Sequence, residues 1–448
     1  MVYCHMEWCT ILFAGPEPDG KGARSMQQME RRQILPDVYL TGVRTDRFRT
    51  GFLSAVLVTE LKRQEAAKNA LLFRVLCSGT ALHPDRAEIE ALLESLYGAE
   101  ITPVTFGVGE WQCAGLTARF PEDAFVPGGR NLERTVRLLG EMLTAPETRG
   151  GMLRPDEVEL EKARLTSLLR QEGNDPVRQA LRRLDEEMCR GERFSIPACG
   201  EEKSVSEVGY QGLSKHFRRL FAASRFELFY CGSAAFDRAA ELFGEALSDL
   251  PRGAAAPLRP AQVLQRPRGD VRVFREPSGT GSAAAIGYRI GATPGPETWP
   301  VMSMLHEALF SSQTGLVQSA LEAMELPFRG IGRTDVRKAV LRAAFPAVPG
   351  REEETLTALK RAVSAAREID GETVGRAKRS LSVRLRRSED LPERLFRRYL
   401  EFALGDLTCT VGEYAGLCDC VTAEEVQALA ASLGEDAELI LGGEEAAV

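Results

Sequence analysis

Nowhere does this sequence hold an apolar run near the ~18 uninterrupted residues that a membrane-spanning helix needs, and none of its ten cysteines forms a CxxC pair. Histidine is scarcer still, with four in 448 residues, at positions 5, 83, 216 and 306, no two of them close in sequence. No GxxxxGKS/T phosphate loop and no GxSxG nucleophile elbow occurs, which excludes P-loop nucleotide chemistry and elbow-type serine hydrolysis. Positive charge is not in excess: 57 Lys and Arg against 64 Asp and Glu leave a net charge of −7, which repels polyphosphate at long range. The expectation is therefore no membrane and no nucleic acid. Scattered cysteines suit a reducing compartment, so cytoplasmic residence is expected.

What is there is an ordinary globular composition, 44% hydrophobic and 27% charged, in a chain long enough for two to four domains. The short apolar run Trp8–Ala14 has no basic segment before it and no A-x-A pattern after it, so it does not read as a signal peptide. Residues 15–29 (GPEPDGKGARSMQQM) read as flexible, with Met26 or Met29 as later starts, and residues 1–30 are taken as a leader.

From Val38 to Val58 the pattern is that of paired strands, and a helix is expected over Ala66–Leu76. Ile89, Leu92, Leu93 and Leu96 fall at i, i+3, i+4 and i+7 before Gly98, which predicts an amphipathic helix over Arg86–Tyr97. Strands over 101–108 and 111–120 precede helices over 131–143, 156–172 and 176–190; a strand at 228–231 and a helix at 235–250 follow. Residues 251–269 (PRGAAAPLRPAQVLQRPRG) have the composition of an extended, solvated linker. Beyond it the order repeats, with strands at 271–274 and 283–290 and a helix over 301–310. Leu72–Ser78 lies over Leu305–Ser311, and the stretch Lys162–Leu184 resembles Arg376–Leu400, with Pro176 over Pro392. The fold class expected is α+β, as two duplicated domains over 31–250 and 270–448, each a sheet packed with helices, facing one another as a clamshell.

The segment NALLFRVLCSGT (69–80), the following EIEALLESLYGAEI and the position of the linker resemble the M16 zinc peptidases, the pitrilysin, insulinase and mitochondrial processing peptidase group. The resemblance runs from about Leu35 onward and is closest to a catalytically degenerate, YfmF-like branch. It implies two M16-type domains, each a mostly antiparallel sheet packed with helices. In active members a His-x-x-Glu-His motif on a helix holds zinc and supplies the general base. Laid over that motif, the histidines fall on Ala70 and Arg74 and the glutamate on Phe73; the third ligand falls on Leu168, or on Ser167 one residue earlier. Ala70 and Phe73 have no lone pair for a metal or a proton, and Arg74 brings a fixed positive charge. The Arg and Tyr that polarise the scissile carbonyl in active members fall on Leu321 and Phe328. No catalytic residue, no metal site and no cofactor is expected.

Other candidate groups are weaker. His306-Glu307 lacks the second histidine of His-Glu-x-x-His, because Phe310 occupies it, and reads as a surface or core histidine. Cys4, His5 and Cys9 lack a fourth ligand, and Cys418 and Cys420 are spaced too closely for a zinc hairpin. The basic helix 373–387 carries Arg376, Lys378, Arg379, Arg384, Arg386 and Arg387 around an apolar stripe of Val374, Ala377, Leu381 and Leu385; a solvated face is the plain reading, an anionic peptide or protein partner the alternative. The function expected from the resemblance is a non-catalytic subunit that pairs with a zinc-bearing M16 paralogue to enclose and process a peptide or small protein. The alternatives are a stand-alone scaffolding protein and a metalloendopeptidase with relocated chemistry.

Overall fold

A computed structural model of the chain describes residues 28–253, 257–311 and 315–443. Of the expected leader, residues 1–27, with Cys4, His5 and Cys9, lie outside the described residues, and from Gln28 the chain is strand. In order the elements are β1 (Gln28–Leu35), β2 (Val38–Arg44), β3 (Thr50–Glu60), α1 (Arg63–Leu76), α2 (Arg86–Ser95), β4 (Glu100–Val108), β5 (Trp111–Pro121) and α3 (Asn131–Thr144). The two-residue strands β6 (Thr148–Arg149) and β7 (Met152–Leu153) precede α4 (Pro155–Gly173), α5 (Pro176–Met188), α6 (Glu202–Ser206), α7 (Tyr210–Ala223), β8 (Arg225–Gly232) and α8 (Phe236–Ala246). The later chain holds β9 (Arg272–Ser278), β10 (Ala283–Arg289), α9 (Trp299–Phe310), α10 (Leu316–Glu322), β11 (Ile331–Asp335) and β12 (Val340–Pro346). It continues through α11 (Glu352–Ala366), α12 (Gly371–Ser388), α13 (Pro392–Leu404), α14 (Val411–Cys420), α15 (Ala423–Ala431) and β13 (Gly434–Gly443). No helix among the described residues is long and apolar enough to cross a membrane.

The chain divides into two compact units that do not follow the halves of the sequence. Unit 1 comprises residues up to 107, 111–168 and 198–259; unit 2 takes 108–110, 169–197 and 260 onward. Unit 1 has a sheet in the order β1-β2-β8-β3-β5-β4, in which β2/β8 is parallel and β1/β2, β8/β3 and β3/β5 are antiparallel. Unit 2 has the order β11-β12-β10-β13-β9, antiparallel except for β13/β9. Set β1 aside and both sheets follow one plan: the first strand of each pairs in parallel with the last, and the last pairs with the second. The duplication glimpsed in the helix after the second strand, α1 in one unit and α9 in the other, is a duplication of topology.

Unit 2 owes part of its core to α5, which comes from the first half of the sequence. Val177, Ala180, Leu181, Leu184 and Met188 form one stripe at helical spacing, and they pack on Ala283, Ala285, Val340, Ala344, Ala437, Leu439 and Leu441 of the sheet. Asp175 caps the helix by accepting from the Val177 and Arg178 amides, and Pro176 starts it without losing a needed donor. Small alanines on β10 let the helix approach; a Cβ on Gly287 would meet the Met188 sulfur at 2.5 Å. The expected linker has neither helix nor strand over its described residues, but it is held rather than loose. Arg252 donates to the carbonyls of Phe221 and Ser224 at 2.9 Å in unit 1, and the Gln262 amide donates to Glu110 at 3.1 Å in unit 2.

That Glu110 belongs to a buried ionic cluster inside unit 2. The Lys338 ammonium lies 2.5 Å from both Glu110 and Glu192; Arg289 reaches Glu192 at 2.9 Å and Asp436 at 2.7 Å. Arg193 and Arg272 close the rim on Glu110 and Asp436 at 3.0 and 2.6 Å. Burial pushes the Glu110 carboxyl up, but Lys338, the Gln262 amide and Arg193 together hold it below its ordinary value. Charges this deep cost several kcal/mol each to desolvate, so the cluster is sound only while every member is paired. Glu192→Gln should strip the shared counter-ion from Arg289 and Lys338 and lower the urea unfolding free energy of unit 2 by about 3–5 kcal/mol. Glu353→Gln, which removes an exposed partner of Arg275, should cost under about 1 kcal/mol; equal effects of the two substitutions would refute the cluster's role.

Candidate functional site

In unit 1 the helix of interest is α1, which follows β3 and is buried along almost its whole length from Ala66 to Leu76. Its residues Ala70, Phe73 and Arg74 fall at i, i+3 and i+4, on adjoining positions about one turn apart, and all three are buried. Phe73 stacks on Phe221 of α7 with ring centroids 5.9 Å apart, and Phe221 in turn meets Phe217 and Phe226 edge-on. The turn that follows explains the Gly79-Thr80 pair: a Cβ on Gly79 would lie 2.6 Å from the Pro84 carbonyl, while the Thr80 amide donates to the His83 carbonyl at 2.7 Å.

Arg74 does not point an unpaired charge at an open site. Its Nε donates to Glu161 of α4 at 3.0 Å, with both side chains about 95% buried. The same carboxylate accepts from Arg86 at 2.9 Å and Arg164 at 2.6 Å, both on its more exposed side. Glu161 was not among the residues picked from the sequence. The signal for it is a lone acid on the apolar stripe Val158, Glu161, Leu165 of α4. Two turns further along α4, Leu168 is half-buried and Ser167 exposed. Behind α1, burial and the nearby Glu161 push the Cys77 thiol up to about 12, so it is a neutral thiol.

A second polar group on α1 is Asn69. Its carbonyl oxygen lies 2.5 Å from Nε2 of His216 on α7, and its amide nitrogen donates to Gln112 of β5 at 2.7 Å. Gln112 then donates to the carbonyls of Ala66 and Ala198 at 3.0 and 2.5 Å. Burial depresses His216 to about 4, against a smaller opposing pull from Glu65, so it is neutral at physiological pH. Every polar atom in this chain of bonds already has a partner, which leaves none for substrate or metal.

The remaining candidates lie in unit 2. Leu321 is fully buried in α10, and Phe328 is exposed in the loop after it. His306 of α9 lies 3.2 Å from the Thr334 hydroxyl with its ring tilted against Phe310; burial, then Arg384 and Arg398, depress it to about 3. Its neighbour Glu307 accepts from Arg384 at 2.8 Å and from the Ser380 hydroxyl at 2.5 Å. Cys418 is buried and Cys420 exposed, and the described cysteines are free thiols. Among the described residues no group of three or more His, Cys, Asp or Glu side chains is placed to hold a metal ion. A zinc ion of the kind the fold family implies does not fit α1: two of three positions carry no donor, and the third is a guanidinium bonded to the nearest carboxylate.

No family model matches the chain. It is 25% identical over 191 residues to the probable inactive metalloprotease YmfF of Bacillus subtilis, a match spanning 42% of this chain and 45% of that protein, less than half of either. Among solved structures, a conserved protein from Enterococcus faecalis aligns over 93% of this chain and 99% of its own with a TM-score of 0.80 and 19% identity. An inactive domain of an M16 peptidase from Pseudomonas fluorescens covers 93% and 99%, with a TM-score of 0.75 and 14% identity. The fold is that of the M16-like peptidases, and the sequence likeness is to an inactive metalloprotease.

Arg74→Met leaves Glu161 buried with cations on one side only and should destabilise unit 1 by about 3–5 kcal/mol in urea unfolding, whereas Arg74→Met with Glu161→Met should recover most of that. Additive losses would contradict the pairing. For His216, NMR of the imidazole should show no protonation between about pH 8 and pH 5. The folded pKa lies below the unfolded one, so the unfolded chain takes up the proton first. Stability should fall as pH drops below about 6.5 and level off near 4.

Proposed function

We propose that this chain is a non-catalytic M16-peptidase-like subunit that pairs, in a cytoplasmic setting, with a zinc-bearing M16 paralogue and helps enclose and process a peptide or small protein. One observation carries the reading. The helix that bears the metal motif in active members is kept here as a fully packed element, while each of its would-be functional positions serves packing or a buried ion pair: Ala70 against neighbours, Phe73 on Phe221, Arg74 on Glu161. A fold retained without its chemistry contributes shape and surface, and those act on a partner.

The test is co-expression with a paralogue bearing an intact His-x-x-Glu-His motif, followed by size-exclusion chromatography and a fluorogenic peptide assay. The expected result is a complex whose cleavage is faster than that of the paralogue alone and is abolished by a chelator. The chain by itself should hold no stoichiometric zinc and cleave nothing. Separate elution with unchanged paralogue activity would leave a stand-alone scaffold as the better account, and chelator-sensitive cleavage by the isolated chain would favour relocated chemistry.

A further inference from the structure

Helix α12 buries Val374, Ala377, Leu381 and Leu385. At ~100° per residue, the opposite side carries Arg379, Val383, Arg386 and Arg387, all exposed. The chain then turns at Glu389 into exposed Leu391 and Arg394. Other basic residues of this helix have partners: Arg384 on Glu307 at 2.8 Å, Arg376 on Glu372 at 3.2 Å, and Lys378 on the Asp419 carbonyl at 2.7 Å. Among the described residues, no salt bridge or side-chain hydrogen bond engages Arg379, Arg386, Arg387 or Arg394.

Local stability does not account for this set. Arg386 and Arg387 lie in the last turn of α12, where cations suit the helix dipole. Arg379 lies two turns earlier, and Arg394 stands in the first turn of α13, where the dipole disfavours a cation. Nor does solubility call for Val383 and Leu391, 48% and 42% exposed, beside the guanidiniums. Four exposed guanidiniums with no salt bridge among the described residues outnumber the three acids Glu389, Asp390 and Glu393 of the same segment; they attract carboxylates, and the two apolar side chains give such a ligand something to bury. Nucleic acid fits less well, because no aromatic ring is interleaved with these exposed arginines to stack on a base, and the exposed apolar side chains between them suit a peptide instead.

We propose that this face docks an acidic segment of a partner protein, one with carboxylates on either side of an apolar side chain. Arg379 and Arg386 stand ~10 Å apart along the helix, the span of about three extended residues. A short fluorescein-labelled peptide repeating Glu-Glu-Leu is therefore the probe, titrated with the full chain and read by anisotropy. Saturable binding is expected, weakening about tenfold or more between ~50 and ~300 mM salt. R379Q/R386Q/R387Q/R394Q should reduce affinity at least about tenfold with the thermal unfolding midpoint unchanged, and V383S a few-fold. Charge reversal at Arg44, Arg137, Lys203 and Lys215 should leave binding intact. No binding by the native chain, equal binding by the quadruple variant, loss on the control reversal, or equal competition by a single-stranded oligonucleotide of matching charge would each overturn the proposal. The assay needs no paralogue, so its outcome is independent of the pairing reading.

Discussion

A carboxylate taken out of water needs a permanent cation beside it, and for Glu161 that cation is Arg74. The constraint is severe. At a separation of 3.0 Å in a low-dielectric interior, each charge is tolerable only because the other is present, and loss of either leaves a penalty of several kcal/mol. This pair decides the chemistry available on α1. A guanidinium has no lone pair to offer a metal and does not deprotonate. The acid that Arg74 meets, Glu161, is already bonded to three arginines. With Phe73 stacked on Phe221 and His216 bonded to Asn69, the surroundings of the helix are filled by groups satisfied among themselves.

Unit 2 solves the same electrostatic problem with more members. Its charges come from five places far apart in sequence, Glu110, Glu192, Arg289, Lys338 and Asp436, so the cluster forms only when those segments have met. Buried ion pairs add little net stability over well-packed apolar residues, but a mispaired one is expensive, and that asymmetry selects a single arrangement of strands. The apolar stripe of α5 works toward the same end, because its five core residues pack on buried residues of β10, β12 and β13, strands that meet only in the folded sheet.

The element order was largely legible in the sequence because the strongly periodic segments carry it. Strands β4 and β5 and helices α1 to α5 and α9 fall within a few residues of expectation, since their apolar spacing is clear and Gly and Pro punctuate their ends. Helices α6, α7, α11, α14 and α15 were not singled out. The capping boxes of Thr410 with Glu413 and of Thr422 with Glu425 were available as signals. The degenerate positions 70, 73 and 74 could be named from the motif pattern, but what they do could not. That Arg74 is paired rather than repulsive depends on Glu161, which is 87 residues away; the stripe of α4 marks Glu161 as buried without saying which cation it meets. The assignment of α5 to unit 2 was hidden for the same reason: its stripe announces a buried face without saying which sheet it faces.

The packing also bears on how such a site could regain chemistry. Replacing Phe73 with a carboxylate removes a fully buried ring, whose burial contributes roughly 1.5–3 kcal/mol, and puts a charge among Phe217, Phe221 and Phe226. Replacing Arg74 with a histidine removes the innermost cation from Glu161, and replacing Ala70 with one forces a ring into a position with no space around it. Each single step therefore costs stability before any metal is present to return it, and a working site needs all three at once, together with a third ligand on α4 where Leu168 stands. A site in this condition is held inert by its own packing, and change can accumulate more freely on exposed faces, where a substitution costs a few tenths of a kcal/mol or less.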